Sequence, residues 1–115
     1  MPEFEHQGKI YQNPVEFAMS MIGGRWKMPI LWRLRSDVMR FGELKKSLPK
    51  VTDRALSLQL KDLEEHGFVE RKVYPVVPPK VEYSLTEKGR SVIPVIKTMQ
   101  AFGKKLMKWE GIEEK

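Results

Sequence analysis

Residues 41–85 carry two helical stripes followed by two alternating segments, and that order constrains the fold more than anything else in the chain. In Phe41-Gly42-Glu43-Leu44-Lys45-Lys46-Ser47-Leu48 the apolar residues Phe41, Leu44 and Leu48 fall at i, i+3 and i+7, one face of an α-helix. Pro49-Lys50-Val51 interrupts the pattern, because proline disfavours a helical conformation in the residue before it, and Thr52 offers a hydroxyl to cap a following helix. The spacing predicts that second helix over residues 52–66, with Leu56, Leu60 and Leu63 facing a core and Gly67 ending it. Residues 68–74 and 81–85 are then rich in β-branched and aromatic side chains and alternate in polarity, as strands do. Between them the prolines of Pro75-Val76-Val77-Pro78-Pro79-Lys80 lack N–H donors and cannot continue a sheet ladder, so the segment is a stiff hairpin tip. Two short helices, a tight turn and a hairpin, in that order, describe a winged helix-turn-helix: a mainly α fold with a β-hairpin wing.

The outward face of the second helix carries the candidate chemistry. At about 100° per residue, Arg54, Ser57, Leu58 and Lys61 cluster opposite the leucines, so cationic and hydroxyl groups project where a DNA major groove would receive them. Leu58 is either an ordinary exposed leucine or a contact for a thymine methyl, and Thr52 and Asp53 at the start of the helix complete the candidate DNA-contacting set there. Glu64 and Glu65 near the other end would be repelled by phosphates, which points the N-terminal half into the groove. Arg71, Lys72 and Lys80 lie near the hairpin tip, with Arg71 and Lys80 as candidate phosphate contacts. The plain alternative, a solvated helix face and a charged, soluble hairpin, stays open on the residues alone.

A chain of 115 residues fits one domain, which at this size buries roughly two thirds of its unfolded surface. Its 21 Lys plus Arg against 15 Asp plus Glu, a net charge of +6, suit a polyanionic partner, although many basic proteins bind nothing anionic. The absence of cysteine excludes a disulfide framework, a thiolate zinc site and a thiol switch. His6 and His66 have no further ligands at metal-binding spacing, no phosphate-binding glycine pattern is present and no nucleophile–base pair is suggested, so no metal, cofactor or enzymatic activity is expected. The N-terminus has neither a basic n-region nor an apolar h-region, and no apolar run approaches the ~18 residues of a membrane span, so a cytoplasmic protein is expected. Residues 1–12, polar and aperiodic, read as a mobile arm, 13–110 as the DNA-binding domain with its terminal helices, and 111–115 as a tail.

Asn13-Pro14-Val15-Glu16 is a helix-start signal, with Asn13 as cap and Pro14 in the first turn, and the helix runs to about residue 22, where Gly23-Gly24 stops it. A central core helix is predicted over residues 25–35, tolerating Pro29 near its first turn, with Arg25 and Lys27 reaching the surface or phosphates. Trp26, Trp32, Met21 and Met28 are either core or the lining of a small-molecule pocket at the dimer interface. The last helix is predicted from residues 86–89 to about 109, bent at Pro94. In it Val95, Met99, Phe102, Leu106 and Trp109 are spaced 4, 3, 4 and 3, the spacing of a coiled-coil seam widened by Val92 and Ile96, and they are the candidate dimerisation residues.

Ile22-Gly23-Gly24-Arg25-Trp26-Lys27, Arg40-Phe41-Gly42-Glu43-Leu44, Leu60-Lys61-Asp62-Leu63-Glu64 and the run from Pro78 to Thr86 together closely resemble the HxlR family of bacterial transcription regulators. The resemblance implies a dimeric winged helix-turn-helix that binds an inverted repeat in double-stranded DNA. It further implies that residues 52–66 lie in the major groove, and that the first and last helices form the dimer. Thiol-sensing members carry a cysteine immediately before the proline of the first helix, and here that position is Asn13. An unidentified small-molecule effector is compatible with the resemblance. The competing functional class is a winged-helix module for protein–protein contact, and salt separates the two, because counterion release makes DNA binding weaken steeply with salt.

Overall fold

In the computed structural model, which describes residues 2–114, the elements run β1 (Phe4–His6), β2 (Lys9–Tyr11), α1 (Pro14–Ile22), α2 (Lys27–Arg33), α3 (Phe41–Ser47), α4 (Asp53–Glu65), β3 (Val69–Tyr74), β4 (Lys80–Leu85), α5 (Glu87–Arg90) and α6 (Ile93–Trp109). The core forms where the predicted apolar stripes meet: Ile30, Leu31 and Leu34 from α2 and its end, Leu44, and Leu56, Leu60 and Leu63 are all at most 1% exposed. Helix α2 packs against α3, α4 and α6 and is therefore the central helix expected, although it is shorter than residues 25–35. Trp26, Met28, Trp32 and Met21 pack against this core.

Local signals set the boundaries. Asn13 Oδ1 accepts the Glu16 N–H at 2.9 Å, while the Glu16 carboxylate accepts from the Gln12 N–H at 2.7 Å, one residue before the cap. Thr52 Oγ1 accepts the Ala55 N–H at 3.0 Å and opens α4. At its other end Gly67, at φ +80°, lets the Gly67 N–H reach the Glu64 carbonyl and the Phe68 N–H reach that of Leu63, so two of the last free carbonyls of α4 are satisfied. The chain then enters β3, which pairs antiparallel with β4 from Val69 opposite Leu85 to Tyr74 opposite Lys80. A single residue pair, Met39 and Tyr83, adds a third line of hydrogen bonds beside β4, a feature too short to leave a period in the sequence.

Two expectations differ from the structure. The sequence of residues 1–12 predicts a mobile arm without periodic structure, whereas the structure has the β1–β2 hairpin there, turning at Gln7 and Gly8 with positive φ. Its residues are held by an aromatic cluster, Phe4 stacked on Tyr11 with both set edge-on to Phe17 of α1, which three-residue strands cannot announce as a period. The bent terminal helix is two helices, because Pro94 lacks an N–H and its ring would clash with the carbonyl four residues back, that of Arg90, where α5 ends. Pro94 instead occupies the first turn of α6, where its missing donor is harmless.

The tail turns back on α6 through Gly111, at φ +72°, with the Ile112 N–H donating to the Met107 carbonyl and Lys104 paired with Glu114 at 3.0 Å. Met1 and Lys115, the outermost residues of the expected arm and tail, lie outside the described residues. The radius of gyration is 16.3 Å, against about 13 Å for a compact chain of this length, so some elements project from the core. Helix α6 is one: of its 17 residues only Ile96 is buried.

Candidate nucleic-acid interface

The α4 stripe of Leu56, Leu60 and Leu63 is turned fully inward, and this alone orients the opposite face. Arg54, Ser57, Leu58 and Lys61 are all exposed there, and together with Asp53 and Phe41 they line one shallow groove between α3 and α4. Thr52 is exposed and spends its hydroxyl on the helix cap, and Asp53 sits in the first turn, where its charge complements the helix dipole. The positions predicted on α4 are thus brought together, with the N-terminal half presenting cation and hydroxyl and Glu64 and Glu65 at the far end.

The wing is sorted differently. In the β3–β4 register Arg71 lies opposite Tyr83, and Lys80 opposite Tyr74, one residue out of phase, so Arg71 and Lys80 are on opposite faces of the hairpin and are not brought together. Lys72 is the residue that joins Lys80: both ammonium groups stand 4.9 Å from the Tyr74 ring centroid. Lys80 also faces Glu82 at 3.5 Å. A hydrogen bond from the Tyr74 hydroxyl, helped by the positive charges of Lys80 and Arg40, holds the Glu82 carboxyl below its usual range.

Other cations are redistributed. Lys27 is spent on an ion pair with Asp62 of α4, and Arg25 lies 4.7 Å over the Trp26 ring, so neither side chain is a free projection. Arg40, Lys45 and Lys46, absent from the predicted set, line a shallow depression along α3. Their signal was present only as scattered charges on a helix named for its apolar face.

The predicted seam divides by orientation. Val92 and Ile96 are buried against the chain's own core, whereas Val95, Met99, Phe102, Leu106 and Trp109 remain 43–75% exposed along α6. Val15 and Met19 of α1 are exposed as well. Among the described residues no cluster of His, Asp or Glu is arranged to hold a metal ion, and no helix is long and apolar enough to cross a membrane.

Comparison with known proteins agrees with this arrangement. The HxlR-like helix-turn-helix family model matches residues 21–110. The chain is 51% identical over 92 residues to the HTH-type transcriptional regulator YdeP of Bacillus subtilis, covering 80% of this chain and 72% of that protein. Among solved structures it is similar to the redox regulator HypR in its oxidized form, at TM-score 0.76 and 45% identity over 81% of this chain and 96% of HypR. It is also similar to the HTH-type transcriptional regulator YtcD, at TM-score 0.79 and 41% identity over 84% and 98% of the two chains. With the winged helix in place and the match running from the end of α1 through α6, the chain belongs to the HxlR-like family of helix-turn-helix transcriptional regulators.

Proposed function

We propose that the protein is a non-enzymatic, cytoplasmic transcription regulator that binds double-stranded DNA sequence-specifically, as a homodimer on an inverted-repeat operator. The observation that carries the reading is the α4 surface: Leu56, Leu60 and Leu63 are buried, so Arg54, Ser57, Leu58 and Lys61 face outward together, ahead of the glutamates at the C-terminal end of the helix. Arg54 offers the bidentate fork suited to guanine, and Ser57 and Lys61 offer shorter donors. Residues 13–110 act as the DNA-binding and dimerising unit, with Arg40, Lys45 and Lys46 of α3 and the Lys72–Lys80 face of the wing on the phosphates. Arg71, on the other wing face, contributes a separate contact.

The homodimer rests on α6, whose exposed apolar line continues the length of the helix and would be costly to leave in water. Two-fold symmetry then makes the site a palindrome with half-sites about one DNA turn, roughly 34 Å, or a multiple of it apart. Selection of bound sequences from random duplexes tests the proposal directly. Enrichment of an inverted repeat, with affinity falling steeply as salt rises, is the expected result. No enriched sequence, or binding to a protein partner that barely responds to salt, would replace it with a protein-contact role for the fold.

A further inference from the structure

A cavity of about 440 Å³ opens between the β1–β2 turn, α1, the last turn of α4, α5 and the start of α6, and it shares no residue with the groove over Arg54 and Lys61. Its size lies within the roughly 300–1,000 Å³ of small-molecule sites. Phe17, Met21, Ile22, Phe68 and Val92 supply an apolar lining. One wall is His6 and Gln7, from a hairpin that precedes the residues 21–110 matched by the family, so this chain builds part of the cavity from its own N-terminal segment. His6 is fixed there edge-on to Phe17, with ring centroids 5.1 Å apart.

The polar groups define the ligand chemistry. Lys88 donates to the His66 carbonyl at 2.7 Å and lies 4.8 Å over the Phe68 ring, and an ammonium has three donors, so two remain for an occupant. His66 Nδ1 meets the Asp62 carbonyl at 2.9 Å; a carbonyl only accepts, so this nitrogen carries a proton and Nε2 is left over. Glu65 lines the same cavity, and its carboxylate disfavours a second negative charge on a ligand. We propose that the cavity binds a small, largely apolar monoanion, its ring or branched body on the Phe17, Met21 and Phe68 lining and its anionic group on Lys88. Glu65 and His66 end α4, and Val95, also in the lining, begins the exposed line of α6, so the occupant touches both the DNA-reading helix and the dimer helix. That consequence rests on the proposed function, whereas the binding does not.

The two histidines of the chain both line the cavity, which makes their ring Hε1 signals a specific reporter. Titration of the full chain with anilinonaphthalene sulfonate, without DNA, should move both signals along one saturating curve. Ser91→Trp and Ala18→Trp, at exposed rim positions, should each abolish the shifts, and either one suffices if the other does not fold. Lys88→Met should weaken the sulfonate by about tenfold, the scale of one charge-assisted hydrogen bond, and leave the uncharged phenylnaphthylamine unaffected. Probe fluorescence with unmoved histidines would put the probe on the α6 face and overturn the site. Shifts that survive the tryptophan variants, or a Lys88→Met variant that binds the sulfonate normally, would overturn it too. Since no DNA is present, none of these failures touches the DNA-binding reading.

Discussion

Replacing Phe102 and Leu106 by glutamate should convert a dimer into folded monomers. In the single chain Phe102 is 50% and Leu106 43% exposed, so either carboxylate can reach water and the fold should tolerate the change. Full burial of such a side chain is worth about 1.5–3 kcal/mol, and roughly half of each remains to be covered, about 1 kcal/mol per residue. Two residues on each of two protomers give about 4 kcal/mol, or about a thousandfold in the dimer dissociation constant, before the cost of placing carboxylates in an apolar seam. Sedimentation velocity at micromolar concentration should show the wild type at twice the mass of the variant, with unchanged helical circular dichroism. The variant should bind a full inverted repeat little better than a single half-site, because the second contact no longer comes at high effective concentration. A wild-type monomer, or a double variant that remains dimeric, would refute this role for α6.

Arg54→Ala should cost about 1–3 kcal/mol on the specific duplex and less on random DNA; equal losses would make Arg54 a phosphate contact only. Lys80→Ala should weaken binding uniformly across sequences and flatten the salt dependence by about one unit, and an unchanged slope would place this wing face away from DNA. Gly89→Ala should lower stability by about 1–3 kcal/mol in chemical denaturation, since a Cβ there would lie 2.1 Å from the Phe68 carbonyl oxygen; a neutral substitution would mean that β3 and α5 can separate freely. Glu82 has a folded-state pKa below its unfolded value, so the wing stabilisation it provides is complete above that unfolded value and is lost as pH falls through the folded one. Carboxyl NMR titration should find Glu82 ionising below its ordinary range and Tyr74→Phe should move it back up; no movement would remove Tyr74 as the leading cause.

What sequence could determine by itself was whatever rests on neighbours along the chain. The i, i+3, i+4 stripes of α3 and α4, the caps at Asn13 and Thr52, the stop at Gly67 and the hairpin around its prolines are all local, and the structure contains each of them. Because the inward face of α4 is legible from Leu56, Leu60 and Leu63, so is its outward face, and four of the candidate contacts follow from geometry alone. Tertiary structure decided what depends on meeting partners distant in sequence. Phe4 and Tyr11 become a hairpin only because Phe17 is there to pack on, and Lys27 is removed from the candidate cations because Asp62 lies across from it. The β3–β4 register, not the number of residues from the tip, sets Arg71 and Lys80 on opposite faces, since side chains alternate across a strand pair. The apolar stripe of the last helix likewise splits only when α2 packs against α6: Val92 and Ile96 are buried in the core, while Val95, Met99, Phe102, Leu106 and Trp109 stay exposed, a distinction a repeating period cannot encode.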